Sequence, residues 1–347
     1  MLSLPKPQRI LIIADYSSTT GLGHVVRCLS IAQALESCGA KVTIALPSFP
    51  AFLDFKCCRT VNTPEDLSNP LTWSEIRNSD AIVLDSYLIT DKIRSKLKLK
   101  DQLLIYLDDD IGQTLVDADM VVNPSPFANF DFYFRRAPNC RLLLGPEYAP
   151  LGPQFEKKPL PWFSRPERVL VSFGGADPKK LTLITANMLL GVLPSNVFVD
   201  VVLPSNVKEV PTHDPRIRMH TNLPNLSDLM RKARLAVTQV GGTIGELAAS
   251  GTPAVFAVVQ DSQDKWLTPH PKVAWSLAVD GRTSRDDIAN CLAKAAAGLW
   301  LDPPLLSTMS STGRATVDGH GSRRIARELL ELLTAKAARL SVSTFDK

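Results

Sequence analysis

Arg9-Ile-Leu-Ile-Ile-Ala-Asp15 runs into Tyr16-Ser-Ser-Thr-Thr-Gly-Leu-Gly-His24, then into Val25-Val-Arg-Cys-Leu-Ser-Ile-Ala-Gln-Ala-Leu-Glu-Ser37. Arg9–Ile13 is an unbroken apolar stretch, short enough for a strand buried on both faces. A Ser/Thr/Gly loop follows it. Over Val25–Ser37 the spacing becomes helical, with Leu29, Ala32 and Leu35 on one face, and Gly39 stops the helix. Strand, glycine loop and helix in this order open a parallel α/β sheet.

The same unit recurs outward. Lys41–Leu46, Ala81–Asp85, Leu103–Leu107 and Met120–Asn123 read as further strands closing on polar residues. Leu151–Glu167, rich in proline and polar residues, reads as a linker, with a hinge near Pro150–Pro161. A second series follows: Arg168–Phe173, a helix from about Lys180, then Val197–Leu203, Ile217–His220, Leu235–Thr238 and Ala254–Ala257. Asp318–Ala335 reads as a long terminal helix and Arg339–Lys347 as frayed. The expectation is an N-terminal domain of residues 1–150, a linker of residues 151–167 and a C-terminal domain of residues 168–347. Each domain is a parallel sheet with helices on both faces, and 347 residues exceed what one core usually holds.

Bulk properties narrow the class. Lys and Arg total 39 against 35 Asp and Glu, and the resulting +4 is spread without a basic stripe, which argues against nucleic acid as a partner. Ile10–Ala14 is too short for the apolar part of a signal peptide, and no segment reaches the roughly 20 apolar residues that cross a bilayer. A cytoplasmic location without stable membrane insertion is expected, and the oligomeric state stays open. Cys28, Cys38, Cys57, Cys58, Cys140 and Cys291 form no C-x-x-C pair, so free thiols and no structural zinc are expected.

Ligands of open parallel sheets bind beyond the carboxyl ends of the strands, so the loops there hold the candidates. In the first, Asp15 precedes Gly21 and Gly23, and His24 and Arg27 open the helix. The glycines allow close backbone approach, and His24 has the chemistry of a general base. A plain helix start with a capping histidine fits the same residues. Asp85-Ser86-Tyr87 follows a strand, where Tyr87 serves either a sugar or a sheet edge. Asp108-Asp109-Asp110 fits a divalent cation, a helix cap or a solvated turn.

The second half offers Ser172-Phe-Gly-Gly-Ala-Asp177, where Gly174 and Gly175 suit a pyrophosphate. It also offers Gln239-Val-Gly-Gly-Thr-Ile-Gly-Glu246, where Gly241, Gly242 and Thr243 lead into a helix. Glu246 suits ribose hydroxyls or merely the helix dipole. Plain strand-to-helix turns fit both loops. No Walker lysine follows either, and Val26 stands where a dinucleotide fingerprint needs a third glycine.

Taken in order, G-L-G-H-V-V-R-C-L, L-D-S-Y, S-F-G-G-A-D-P, G-G-T-I-G-E-L-A-A-S-G-T-P and D-G-x-G-S-x-R resemble the UDP-2,4-diacetamido-2,4,6-trideoxy-β-L-altropyranose hydrolases of pseudaminic acid biosynthesis. The resemblance runs from about Arg9 to about Glu331. It implies a GT-B fold, similar to MurG-type glycosyltransferases, with two Rossmann-like domains whose parallel sheets face each other across a cleft. It also implies release of UDP from a sugar by water, without metal or other cofactor. His24 and Tyr87 then take catalytic roles. Asp15, Gly21, Gly23, Arg27, Asp85, Gly174, Gly175, Gly241, Gly242, Thr243, Glu246 and Gln263 take substrate-binding ones. The chain departs from the family pattern at Ile13, Ser86, Gly152, Gly245 and Ser262, mostly on the sugar side. A glycosyltransferase with the same donor and another acceptor, and a non-catalytic nucleotide-sugar binder, are the competing expectations.

Overall fold

The computed structural model describes residues 7–345 apart from 18–21, 52, 100, 110–114, 116, 175, 176, 178, 204–213, 222 and 224. Gly21, Gly175 and Asp110 therefore lie outside the described residues.

The first unit holds a seven-stranded sheet in the order β3-β2-β1-β4-β5-β6-β7. Its strands are β1 (Arg9–Ala14), β2 (Lys41–Leu46), β3 (Arg59–Asn62), β4 (Ala81–Asp85), β5 (Leu103–Leu107), β6 (Met120–Asn123) and β7 (Arg141–Leu144). All neighbours run parallel. Helix α1 (Gly23–Ser37) follows β1, and α2 (Ser74–Arg77), α3 (Asp91–Arg94) and α4 (Phe130–Arg136) are short. Alternate residues of the apolar strands feed two cores. Ile10, Ile12, Val42, Ile44, Val83 and Ile105 pack with α1, while Leu11, Ile13, Ile82, Leu84, Leu104 and Tyr106 pack with Ile76, Leu97 and Tyr133. Burial on both faces is why these strands read as unbroken apolar runs.

The second unit holds a six-stranded sheet, β10-β9-β8-β11-β12-β13. It is built from β8 (Arg168–Val171), β9 (Phe198–Val202), β10 (Ile217–His220), β11 (Leu235–Gln239), β12 (Ala254–Val258) and β13 (Ser276–Asp280). All pairs are again parallel. Helices α5 (Leu181–Val192), α6 (Ser227–Lys232), α7 (Thr243–Ala249), α8 (Arg285–Trp300) and α9 (Pro303–Thr316) surround it. The strand order of both sheets is that of a doubly wound, Rossmann-like domain.

The contacts divide the chain at other places than the sequence suggests. Residues 1–153 and 320–347 form one unit and residues 154–319 the other. The expected linker, residues 151–167, spans the boundary between the two units, and its second half is packed rather than free. Trp162 is buried, with its indole N–H on the Arg234 carbonyl at 2.8 Å. Arg165, buried with no carboxylate partner among the described residues, donates to the carbonyls of Ala233 and Ser250. Burial lowers its guanidinium to about 10.

The terminal helix α10 (Gly321–Phe345), which falls in the expected second domain, belongs to the first unit. Ile325, Ala326, Leu329 and Leu333 enter the core that contains α1. The helix also continues past the expected frayed start at Arg339, because no glycine or proline interrupts it after Gly321.

Candidate functional site

In a doubly wound sheet the strand order reverses at one point, and ligands bind there beyond the carboxyl ends. In the first sheet that point lies between β1 and β4, whose last residues Ala14 and Asp85 are in register. Helix α1 begins directly behind it. His24 and Arg27 are three residues apart and therefore share one face of the helix.

Asp85 is the hub. Its side chain is buried, and its Oδ1 meets His24 Nδ1 at 2.7 Å. Arg27 Nε donates to Oδ2 at 2.6 Å, and Arg27 Nη2 donates to Oδ1, making the pair bidentate. The Cys28 thiol donates to Oδ2 at 3.4 Å. Burial alone would raise the Asp85 carboxyl, but the Arg27 charge, its hydrogen bonds and His24 overcome this and hold it below its ordinary value. Burial pushes the Cys28 thiol far up, so it stays a donor. A carboxylate on Nδ1 selects the tautomer that keeps a lone pair on Nε2, the form in which histidine accepts a proton.

Tyr87 stands against this pair. Its ring meets the His24 ring edge-on, with centroids 4.8 Å apart and planes at 87°. At 38% exposure it is open to a ligand. Asp15 is buried and fully engaged, accepting from Ser86 Oγ at 2.6 Å and from the amides of Tyr87 and Leu88 at 2.7 and 3.3 Å. Its role here is to hold the loop after β4. Arg94, which sequence reasoning missed, supports the same loop from below by donating to the carbonyls of Ser86 and Ile89.

The acidic run after β5 is split between partners. Asp108 accepts from the Tyr133 hydroxyl at 2.6 Å and from the Asp109 amide at 2.9 Å. Asp109 accepts from the Tyr87 hydroxyl and lies 3.7 Å from Arg27 Nη1. Among the described residues, no three His, Cys, Asp or Glu side chains group as metal ligands.

The second sheet reverses between β8 and β11. Here the main chain, not side chains, is presented. Gly174, at φ +79°, and Gly241 and Gly242 are exposed, with no atom within 4 Å of where a Cβ would stand. Gln239 joins the two loops by donating to the Phe173 carbonyl at 2.8 Å. Asp177 occupies the first amides of α5, those of Leu181 and Thr182, at 2.8 and 3.0 Å. Gly174, rather than that helix start, is left exposed.

Thr243 opens α7, and Glu246 lies in its first turn. No described donor reaches the Glu246 carboxyl, and burial raises it to about 7. Gln263 is engaged with backbone on both ends of its amide. It accepts from Val259 N at 3.0 Å and donates to the Val240 carbonyl at 3.4 Å, which ties the loop after β12 to the loop after β11.

No family model matches the chain. It is 23% identical to the spore coat polysaccharide biosynthesis protein SpsG of Bacillus subtilis over 92% of its own length and 97% of that protein. It is 26% identical to an uncharacterised protein of Methanocaldococcus jannaschii, over 74% of this chain and 56% of that one. A third relative is the pseudaminic acid cytidylyltransferase and UDP-2,4-diacetamido-2,4,6-trideoxy-β-L-altropyranose hydrolase of Helicobacter pylori, at 23% identity over 74% of this chain and 46% of that protein. The chain thus spans about half the length of two of these relatives.

Among solved structures, the glycosyltransferase of kitacinnamycin superposes with a TM-score of 0.63 at 18% identity, over 95% of this chain and 100% of that one. The spinosyn forosaminyltransferase SpnP gives 0.65 at 14%, with the same coverage. UGT89C1 of Arabidopsis thaliana, solved with UDP, gives 0.63 at 17%, again over 95% and 100%. The fold is therefore GT-B.

Proposed function

We propose that the chain is an enzyme that cleaves UDP from a UDP-diacetamido-trideoxy sugar, with water as nucleophile, in the biosynthesis of a pseudaminic-type nonulosonic acid. The observation that carries this reading is the Asp85–His24 pair at the reversal point of the first sheet. It is a base with an oriented imidazole, backed by a carboxylate that Arg27 keeps ionised.

His24 Nε2 takes a proton from water as the water oxygen bonds to the anomeric carbon. The bond from that carbon to the diphosphate oxygen breaks, and its electron pair leaves with UDP. Asp85 balances the imidazolium that forms, and direct displacement inverts the anomeric centre. In this reading the main chain around Gly174, Gly241 and Gly242 binds the diphosphate and stabilises its growing charge. Glu246 accepts from the ribose hydroxyls. The relative from Helicobacter pylori, whose name includes this hydrolysis, supports the choice of sugar.

A second reading is favoured by the likeness to glycosyltransferases and by the spore coat relative: the same donor chemistry with a hydroxyl acceptor in place of water. Phosphorus and proton NMR with UDP-diacetamido-trideoxyaltrose, in EDTA and without acceptor, separates the two. Appearance of UDP and free sugar supports hydrolysis. Turnover that begins only when an acceptor is supplied overturns it in favour of transfer.

A further inference from the structure

The mechanism above uses no residue of the acidic run after β5, yet one of them, Asp109, touches the groups that it does use. Asp109 lies at the carboxyl end of the strand next to β4, so its side chain reaches the groups around His24 from the other side. It touches two of them: the Tyr87 hydroxyl donates to its Oδ2, and Arg27 Nη1 lies 3.7 Å from the same oxygen. Arg27 in turn grips Asp85, the partner of His24. Asp109 is thereby linked to the imidazole by two routes, through the Tyr87 ring on its edge and through the Arg27–Asp85 pair.

Asp108 fixes the origin of this contact. Its Oδ1 binds the Asp109 amide, and its Oδ2 takes the hydroxyl proton of buried Tyr133. The neighbouring carboxylate is thus anchored, and Asp109 is free to face the site. Its Oδ1 is buried and has no hydrogen-bond partner among the described residues. An unmet carboxylate oxygen is costly, and such a residue persists where its other oxygen is needed.

We propose that Asp109 is a positioning residue that holds the phenolic proton of Tyr87, so that Tyr87 meets the substrate as a hydrogen-bond acceptor. A carboxylate has no proton to give, so the direction of the bond is fixed: Tyr87 donates inward and offers its oxygen lone pairs outward. The consequence for the chemistry is definite. Water has two protons, one for His24 Nε2 and a second for the Tyr87 oxygen, and two acceptors fix its orientation. A hydroxyl acceptor has one proton and cannot satisfy both. This rests on the reading of His24 as the base. Partial burial and the bond to Asp109 also push the Tyr87 phenol well above its ordinary range, which keeps the proton on it.

Two measurements on the full chain test this. The first needs no turnover. Tyrosine is labelled with carbon-13 at the ring carbon bearing the hydroxyl, and the Tyr87 signal is assigned by its loss in Tyr87→Phe. In Asp109→Asn the signal is expected to titrate at least about one pH unit lower than in the parent protein, while Arg27, Asp85 and His24 still face it. An unchanged titration overturns the proposal.

The second is a double-mutant cycle on UDP release from UDP-diacetamido-trideoxyaltrose. Asp109→Asn and Tyr87→Phe are each expected to lower kcat about tenfold, with UDP affinity and Tm unchanged, and the double variant to be no worse than either alone. Multiplicative losses overturn the idea that Asp109 works through Tyr87. A parent protein that releases no UDP defeats the functional reading instead, and the labelled-tyrosine titration still decides the hold of Asp109 on Tyr87.

Discussion

The two sheets share one strand order and reverse at equivalent places, yet the two reversal points are built oppositely. At the first, side chains do everything. Asp85 gathers His24, Arg27 and Cys28, and Asp15 holds Ser86. At the second, the glycines expose bare main chain, and of its two carboxyls Asp177 caps α5 while Glu246 has no described donor. On the proposed function the difference has a reason: proton transfer needs atoms held in place in advance, so its groups would satisfy each other before substrate arrives. Phosphate and ribose recognition would need open amides and an unfilled acceptor, left unsatisfied until a ligand comes.

The largest test of this contrast is His24→Ala. Turnover should fall about a thousandfold, while UDP affinity by calorimetry stays the same, because only the first reversal point is touched. Near-normal turnover would remove the side-chain cluster from the chemistry. Asp85→Ala comes next. It leaves the Arg27 guanidinium without its carboxylate, and removing one partner of a buried pair costs about 3–5 kcal/mol. Urea unfolding should show that loss. An unchanged midpoint would mean that the cluster is not the rigid assembly described.

Glu246→Gln probes the other side, and its effect depends on pH. The native carboxyl, at about 7, lies above its ordinary 4.5, so the fold favours the protonated acid. Below pH 4.5 both states are protonated and no cost exists. As pH rises from there the unfolded chain ionises first and native stability declines, until above pH 7 the full cost stands. The variant should therefore match the parent in acid and exceed it above neutrality by roughly 3 kcal/mol, read as Tm against pH. It should also bind UDP more weakly, having lost an acceptor for the ribose. A stability difference that is the same at all pH values would refute the unsatisfied carboxyl.

The smallest effects separate the glycines. Gly174→Ala places a side chain at φ +79° and should cost about 1–2 kcal/mol of stability. Gly241→Ala meets no neighbour and should stay within about 0.5 kcal/mol. Both should weaken UDP binding, since each methyl stands over the amides. If Gly241→Ala leaves UDP affinity intact, that loop does not face the diphosphate.

Legibility in the sequence followed the same division. Strands buried on both faces announce themselves, and β1, β2, β4, β5 and β6 were all readable, as was the helix start at which His24 lies. Edge strands β3, β7 and β13 were not. Arg59-Thr-Val-Asn62 and Ser276-Leu-Ala-Val-Asp280 are exposed or half-buried throughout, and neither has more than three consecutive apolar residues. The two roles of the acidic run were also hidden, because three consecutive aspartates look alike until Tyr133 and Tyr87 select among them. Asp15 and Gln263 were readable as important but not as loop holders, since hydrogen bonds to distant backbone leave no local pattern. The terminal helix showed its apolar face plainly, but periodicity names no partner for that face.

That helix has a consequence for how the molecule is made. Residues 154–319 form a contact unit of their own, inserted between two parts of the first. As the chain emerges from the ribosome, the inserted unit has all its residues before Ile325, Ala326, Leu329 and Leu333 have been synthesised. The first-born sheet must wait for them with α1 partly uncovered. The order of translation is thus reversed in the order of completion. A stop codon shortly after Gly319 would spare the later-made unit and leave the earlier-made one unfinished, along with the histidine it carries.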